Sequence, residues 1–226
     1  MRVVTGKGSE NVSDDVFRTR AAAYRAVFLD IGTGDGSLPY RLAGDHPDIL
    51  FLGFDPNAEA MAASAGKARR KSARGGRPNC SYIVASIERP PEALAGLANA
   101  ITVHFPWAAL LEHVLGLHPN ETDALARALT ALAAPDCALQ FLVNEVTDLP
   151  DLPAVDPDLL GRRLGRVLQG AGFGAPDTAW LDREARVRSR WGGRLIAGSG
   201  RRVVRLRATR GTPPDPVPAI LAAVAS

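Results

Sequence analysis

The 226-residue chain is poor in the residues that build disulfide, metal or membrane proteins: it has two cysteines, two methionines and four histidines. Cys80 and Cys137 stand in separate apolar, strand-like runs with no Cys or His neighbour at ligand spacing. That argues against a disulfide framework and against zinc, and leaves buried reduced thiols as the expectation. No apolar run approaches the roughly twenty residues needed to cross a bilayer, and the first residues lack an apolar signal region, so a cytoplasmic protein is expected. Two phosphate-binding signatures are missing as well. There is no Walker loop, and the Gly-x-Gly-x-x-Gly turn that sets a helix N-terminus against a pyrophosphate is not met, because Ser37 holds the place of its third glycine.

What is present is a different glycine turn. The apolar run AVFLD ends at Asp30 and leads into Gly32-Thr33-Gly34-Asp35-Gly36, and a second apolar run, ILFLGFD, ends at Asp55. Alternate glycines allow positive φ and close approach of a ligand to the backbone, and a carboxylate at the tip of the next strand can accept hydrogen bonds from a ribose diol. The ligand class is a nucleoside. With no phosphate cradle, the spacing Asp-x-Gly-x-Gly-x-Gly resembles motif I of class I S-adenosylmethionine (SAM) methyltransferases, in which the acid at the strand end faces the cationic methionine portion. Asp30 would be that acid.

The formal net charge of +3 conceals strong segregation. Lys67, Arg69, Arg70, Lys71, Arg74 and Arg77 form an acid-free cluster, and the stretch from Arg183 to Arg210 holds ten arginines against the single Glu184. The remainder is therefore net acidic, a pattern that points to a polyanion meeting two basic surfaces; the alternative is a pair of solvated basic loops.

The chain reads as one α/β domain over 1–226. A hairpin around Thr5-Gly6-Lys7-Gly8 and a helix capped by Ser13 form an extension over 1–24. Strands at 26–30, 49–54, 80–85, 100–104 and 138–144 alternate with helices near 37–43, after Pro56, at 120–133 and at 157–171, which argues for a parallel sheet. Strand 176–181 and the run RRVVRLRAT would close it as an antiparallel pair. The basic linkers 68–79 and 182–200 are the expected recognition segments, while the tail 211–226, with its four prolines, reads as a loosely docked end.

Three further segments complete the pattern: Ser86-Ile87-Glu88-Arg89 after the third strand, Phe105-Pro106-Trp107-Ala108-Ala109-Leu110-Leu111 after the fourth, and Ser189-Arg190-Trp191-Gly192-Gly193-Arg194-Leu195 in the late basic stretch. With GTGDG-x-x-PY and the later Asp55 they resemble the Kam/Npm-type aminoglycoside-resistance 16S rRNA methyltransferases, which methylate N1 of adenine 1408 in the 30S subunit. The resemblance covers residues 1–210. It departs at Ala109 and Arg190, where hydroxyl-bearing residues are common in the family.

The resemblance implies a seven-stranded, mostly parallel methyltransferase sheet with the hairpin as an extension. It implies SAM contacts at Asp30, Gly32, Gly34, Asp55, Pro56, Ile87, Glu88 and Pro106, with Glu88 reading the adenine amine. It also implies that Trp107 and Trp191 sandwich the target adenine, while Lys67, Arg69, Arg70, Lys71, Arg74, Arg194 and Arg201 hold rRNA phosphates. Both tryptophans and both basic linkers are expected on one sheet edge. The implied partners are 16S rRNA and the 30S subunit, engaged by a monomer without metal or membrane. A tRNA guanine-N7 methyltransferase and an RNA-binding protein that keeps SAM affinity without turnover are the alternatives. For Trp107 a sheet-capping role, and for Glu88 a surface pair with Arg89, remain open on sequence alone.

Overall fold

The computed structural model describes residues 1–117, 124–145, 154–182, 185, 187 and 200–225. Its strands are β1 (Arg2–Val4), β2 (Ser9–Asn11), β3 (Ala26–Ile31), β4 (Ile49–Asp55), β5 (Cys80–Val84), β6 (Ala98–His104), β7 (Ala133–Asn144), β8 (Asp177–Trp180) and β9 (Val203–Arg210). The helices are α1 (Asp14–Ala21), α2 (Ser37–Asp45), α3 (Ala58–Ala68), α4 (Ala108–Leu115), α5 (Ala124–Leu132), α6 (Pro157–Gly170) and α7 (Val217–Val224).

Among the described residues the sheet has nine strands in the order β2-β1-β5-β4-β3-β6-β7-β9-β8. Strands β5, β4, β3, β6 and β7 run parallel, and β9 pairs antiparallel with both β7 and β8. The seven expected strands are thus present, but the count of seven is corrected to nine. The N-terminal hairpin is not an appendage: Val3 pairs with Ile83 on β5 and continues the sheet. Without it β5 would be an open edge, and β2 places three exposed polar residues, Ser9, Glu10 and Asn11, at the new one.

Helices cover both faces, as an apolar parallel sheet requires. Phe17 of α1 and the buried leucines of α4, α5 and α6 share one core with Leu29, Ile31 and Val103. Leu38 and Leu42 of α2, Met61 and Ala65 of α3, and Val217, Ile220, Leu221 and Val224 of α7 form the other with Phe28 and Phe51. The tail expected to dock loosely is instead the third helix of that second face. Both cysteines are buried and free, and burial pushes the Cys80 thiol up to about 12. No helix among the described residues is long and apolar enough to cross a membrane.

β3 is buried along its whole length, with β4 on one side and β6 on the other. The chain reverses its winding direction there, so the helices after β3 and β6 diverge and open a crevice at the strands' carboxyl ends.

Candidate active site

At the mouth of that crevice Gly32, Gly34 and Gly36 all have φ between 58° and 70°. The turn is tied to β4: the amides of Gly32 and Thr33 donate to the Phe54 carbonyl at 2.8 and 3.2 Å. Gly34 donates to Asp55 Oδ2 at 3.0 Å, while Asp55 Oδ1 accepts from the Asn57 amide at 2.8 Å. Tyr82 supports the turn from below, donating its hydroxyl to the Gly36 carbonyl at 2.7 Å. A Cβ on Gly36 would fall 2.3 Å from the Tyr82 ring, so glycine there is demanded twice, by φ and by space.

Asp30 sits beneath the turn, 4% exposed. Thr33 Oγ1 and Thr102 Oγ1 each donate to its carboxylate at 2.7 Å. Burial pushes its pKa up to about 6, against the two hydroxyl hydrogen bonds, and the nearby Asp55 and Asp35 charges add to the rise. An uncompensated carboxylate held in this way is a ready counter-charge for a cation.

The cleft above has a volume of about 1080 Å³. Asp30, Gly32, Gly34 and Asp55 line one side, and Pro56, Ile87, Glu88 and Pro106 line the other parts of the wall. All eight residues singled out for the cofactor therefore meet in one space. Trp107 and Arg201 line it too.

Glu88 projects from the turn after β5, and its Oε1 lies 3.1 Å from Nε2 of His113, whose side chain on α4 is buried. Burial alone would raise the Glu88 pKa; hydrogen bonds from Ser86, its own backbone amide and His113 outweigh that and hold the carboxyl below its usual range. The surface pairing with Arg89 is thus replaced by a part-buried contact with the buried His113 ring.

The segment after β6 has the opposite character. Phe105 and Ala108 take φ of 51° and 50°, left-handed values for residues with a Cβ. Such conformations cost roughly 1–2 kcal/mol each and cluster at functional sites. They bracket Pro106 and Trp107, and Trp107 is 68% exposed, which rules out the sheet-capping role. α4 begins immediately afterward with no side-chain cap on its first turn, so nothing local announced it in the sequence.

Not every expected residue converges here. Lys67, Arg69, Arg70, Lys71 and Arg74 are exposed, but the last turn of α3 and the linker that bear them feed the start of β5. Asn79 at its end donates to the carbonyls of Ala43, His46 and Ile49, beside the start of β4. The linker therefore lies at the amino edge of the sheet, one length of α3 away from the glycine turn, about 16 Å at 1.5 Å per residue. The shared edge is corrected for 68–79: a helix returning from a strand tip must deliver its loop to the opposite end. The linker folds into a single-turn 3₁₀ helix at Ser72–Arg74, with Gly75 anchored by the Tyr40 hydroxyl at 2.6 Å. Arg69 is paired with Glu10 of β2 at 2.7 Å. Trp191 and Arg194 lie outside the described residues, as does Arg190.

Sequence reasoning also missed the support beneath the site. Thr102, which holds Asp30, and His113, which holds Glu88, are contacts distant in sequence. Only Thr33, inside the glycine turn, had a local signal. Among the described residues there is no cluster of three or more potential metal ligands.

A family model described as NpmA, 16S rRNA (adenine(1408)-N(1))-methyltransferase, matches residues 2–210. A protein of that description from Streptoalloteichus hindustanus is 32% identical over 209 residues, covering 89% of this chain and 94% of the relative. One from Escherichia coli is 28% identical over 216 residues, 91% and 97% of the two chains. Among solved structures, the 16S rRNA methyltransferase KamB superposes with a TM-score of 0.79 at 30% identity, covering 93% of this chain and 100% of that one. A tryptophan-to-alanine mutant of the 16S rRNA (adenine(1408)-N(1))-methyltransferase from Catenulisporales acidiphilia, solved with cosubstrate SAM, gives 0.81 at 31% identity, covering 96% and 100%.

Proposed function

The chain belongs to the 16S rRNA (adenine(1408)-N(1))-methyltransferase family, and from that premise we propose which of its residues hold the cofactor and which receive the base. It is an enzyme that methylates N1 of adenine 1408 in 16S rRNA. The match favours rRNA over the tRNA alternative.

The cleft suits SAM on three observations: left-handed glycines that leave the backbone open, a buried counter-charge at Asp30, and two further carboxylates, Asp55 and Glu88, spaced along the wall. When bound there, SAM supplies a methyl group on a sulfonium. Asp30 in its ionised form offsets the ligand's positive charge. Asp55 uses one lone pair on each oxygen to fix the turn and keeps the others for ribose hydroxyls. Glu88, ionised and clamped by His113, is an acceptor for an exocyclic amine. Gly32, Gly34, Pro56, Ile87 and Pro106 contribute backbone and apolar wall.

Neutral adenine carries a lone pair at N1, so no general base is assigned and alignment carries most of the catalysis. Within a helix that edge is hidden, and the base must be flipped out and stacked on the protein. Trp107, at the cleft mouth, provides that face, worth roughly 1–3 kcal/mol. Its π-cloud also favours the positive charge that develops on the methylated base, by about 0.5–2 kcal/mol. Trp191 is assigned the second face, and Arg194 and Arg201 nearby phosphates. Lys67, Arg69, Arg70, Lys71 and Arg74 contact the backbone further away, and that separation fits a shaped 30S surface rather than a short strand. The enzyme then acts as a monomer in the cytoplasm, where 30S subunits reside. The added methyl and charge on the Watson–Crick edge confer aminoglycoside resistance.

The observation that carries this reading is the exposed Trp107 at the mouth of a cleft lined by Asp30, Asp55 and Glu88. Primer extension on 30S subunits treated with protein and SAM should stop one nucleotide 3′ of adenine 1408. Methyl transfer confined to tRNA, or SAM binding without transfer to either RNA, would contradict it.

A further inference from the structure

The family match stops at residue 210, yet the fourteen residues that follow Gly211 up to Ala225 are built into the fold. Val217, Ile220, Leu221 and Val224 of α7 are buried in the core that includes Ala100 of β6 and Ala138 of β7. One residue past the helix, Ala225 forms an antiparallel bridge with Val187. These two are buried together with Leu142 and Val203, and Phe105 and Leu181 pack against them. Three segments are joined in this small cluster. Phe105 is the root of the strained loop that presents Trp107, Val187 stands four residues ahead of Trp191 in sequence, and Ala225 is the end of the tail.

A polar path makes the same connection. Arg207 on β9 donates from Nη2 to the Leu221 carbonyl of α7 at 3.2 Å, and from Nε to Gln140 Oε1 on β7 at 2.8 Å. Arginine only donates, so the Gln140 amide is oriented with its oxygen toward Arg207 and its nitrogen toward His104, where Nε2 lies 3.2 Å away. His104 then accepts at Nε2, carries its proton on Nδ1, and directly precedes Phe105. Gln140 is fully buried and His104 is 8% exposed, so neither partner exchanges readily for water. The path crosses three neighbouring strands, from the tail to the root of the Trp107 loop.

We propose that residues 211–225 are a positioning element for the target base, holding the Phe105–Ala108 loop and the chain at Val187 at a set separation. This rests on the assignment of Trp107 as the stacking face. Gln140, Arg207, Val187 and Ala225 are positioning residues; none of them lines the cleft itself.

Ala225→Asp tests it, since a carboxylate in the apolar cluster should release the end of the tail while leaving α7 on the sheet. The expected result is a kcat on 30S subunits at saturating SAM lowered between about tenfold and a hundredfold, the range that a misplacement near 1 Å produces. SAM affinity should stay within about twofold, because Ala225 does not itself line the cleft and its neighbour Phe105 is not among the residues assigned to the cofactor. Backbone hydrogen exchange in the 103–108 segment should quicken, because the Phe105 amide bond to Leu142 would loosen. Ala225→Ser should restore both readouts. Unchanged kcat and unchanged exchange in Ala225→Asp would overturn the proposal, as would a kcat loss matched by an equal loss of SAM affinity. If the unmodified chain fails to methylate 30S subunits, the rRNA assignment falls, while the exchange measurement still decides whether the tail holds the loop.

Discussion

The two walls of the cleft are built on opposite plans. On the glycine-turn side nearly every polar group is already paired: Asp30 accepts from two threonines, Asp55 from two backbone amides, and Tyr82 holds Gly36. On the Trp107 side two non-glycine residues sit at positive φ and a tryptophan stands 68% exposed. One wall is finished before any ligand arrives, and the other holds strain and bare aromatic surface that only a partner can cover. A methyltransferase acting on a large RNA needs this division, because its cofactor is small and constant while its base must be pulled from a helix.

The comparison breaks most severely at Asp30. Asp30→Ala should weaken SAM binding roughly a hundredfold, or about 2–3 kcal/mol, as expected for loss of a charged partner. It should also lower the thermal midpoint, because the Thr33 and Thr102 hydroxyls would be buried without an acceptor. Calorimetric titration and a melting curve measure the two effects.

The same carboxyl sharpens the comparison through pH. Its pKa in the folded protein is about 6, and a cationic ligand prefers the ionised form. SAM affinity should therefore be flat above pH 7 and fall as pH drops through 6, by about tenfold at pH 5. A titration series from pH 5 to 8 checks this, and a pH-independent affinity would remove Asp30 as the counter-charge.

His113→Leu keeps apolar volume on α4 but frees Glu88. SAM affinity should fall by a factor of about three to ten, the size of one hydrogen bond. Catalysis at saturating SAM should hold, which kcat and KM measured separately would reveal.

The smallest effect belongs to the far edge. Reversing Lys67, Lys71 and Arg74 together should reduce 30S affinity at low salt and flatten its salt dependence while leaving SAM binding unchanged. Arg69→Ala alone should reduce 30S affinity less than the triple reversal does, since the Arg69 charge is shared with Glu10 at an exposed site. Filter binding across a salt series distinguishes the two variants.

The finished wall was legible in the sequence and the strained wall only partly so. Glycine spacing, strand tips and Asp55 are local signals, because turn geometry dictates residue type at fixed offsets. The resemblance named Trp107, but not the positive φ values that aim it. Partners such as Thr102 and His113 lie on other elements and leave no local trace. The hairpin's pairing with β5 depends on which strand is the sheet edge, a property of topology. Four prolines made the tail look irregular, although α7 carries a buried apolar face that closes the second core. The basic linker was found by composition and misplaced by edge, since charge clustering carries no direction along the sheet.

The division between the walls is tested most directly by Trp107→Ala, with SAM affinity and 30S methylation measured on the same preparation. The account predicts SAM affinity within about twofold of the unmodified protein, and methyl transfer to adenine 1408 reduced at least tenfold, consistent with loss of one stacking face. Near-normal methylation by this variant, or a loss of SAM binding that matches the loss of transfer, would contradict it.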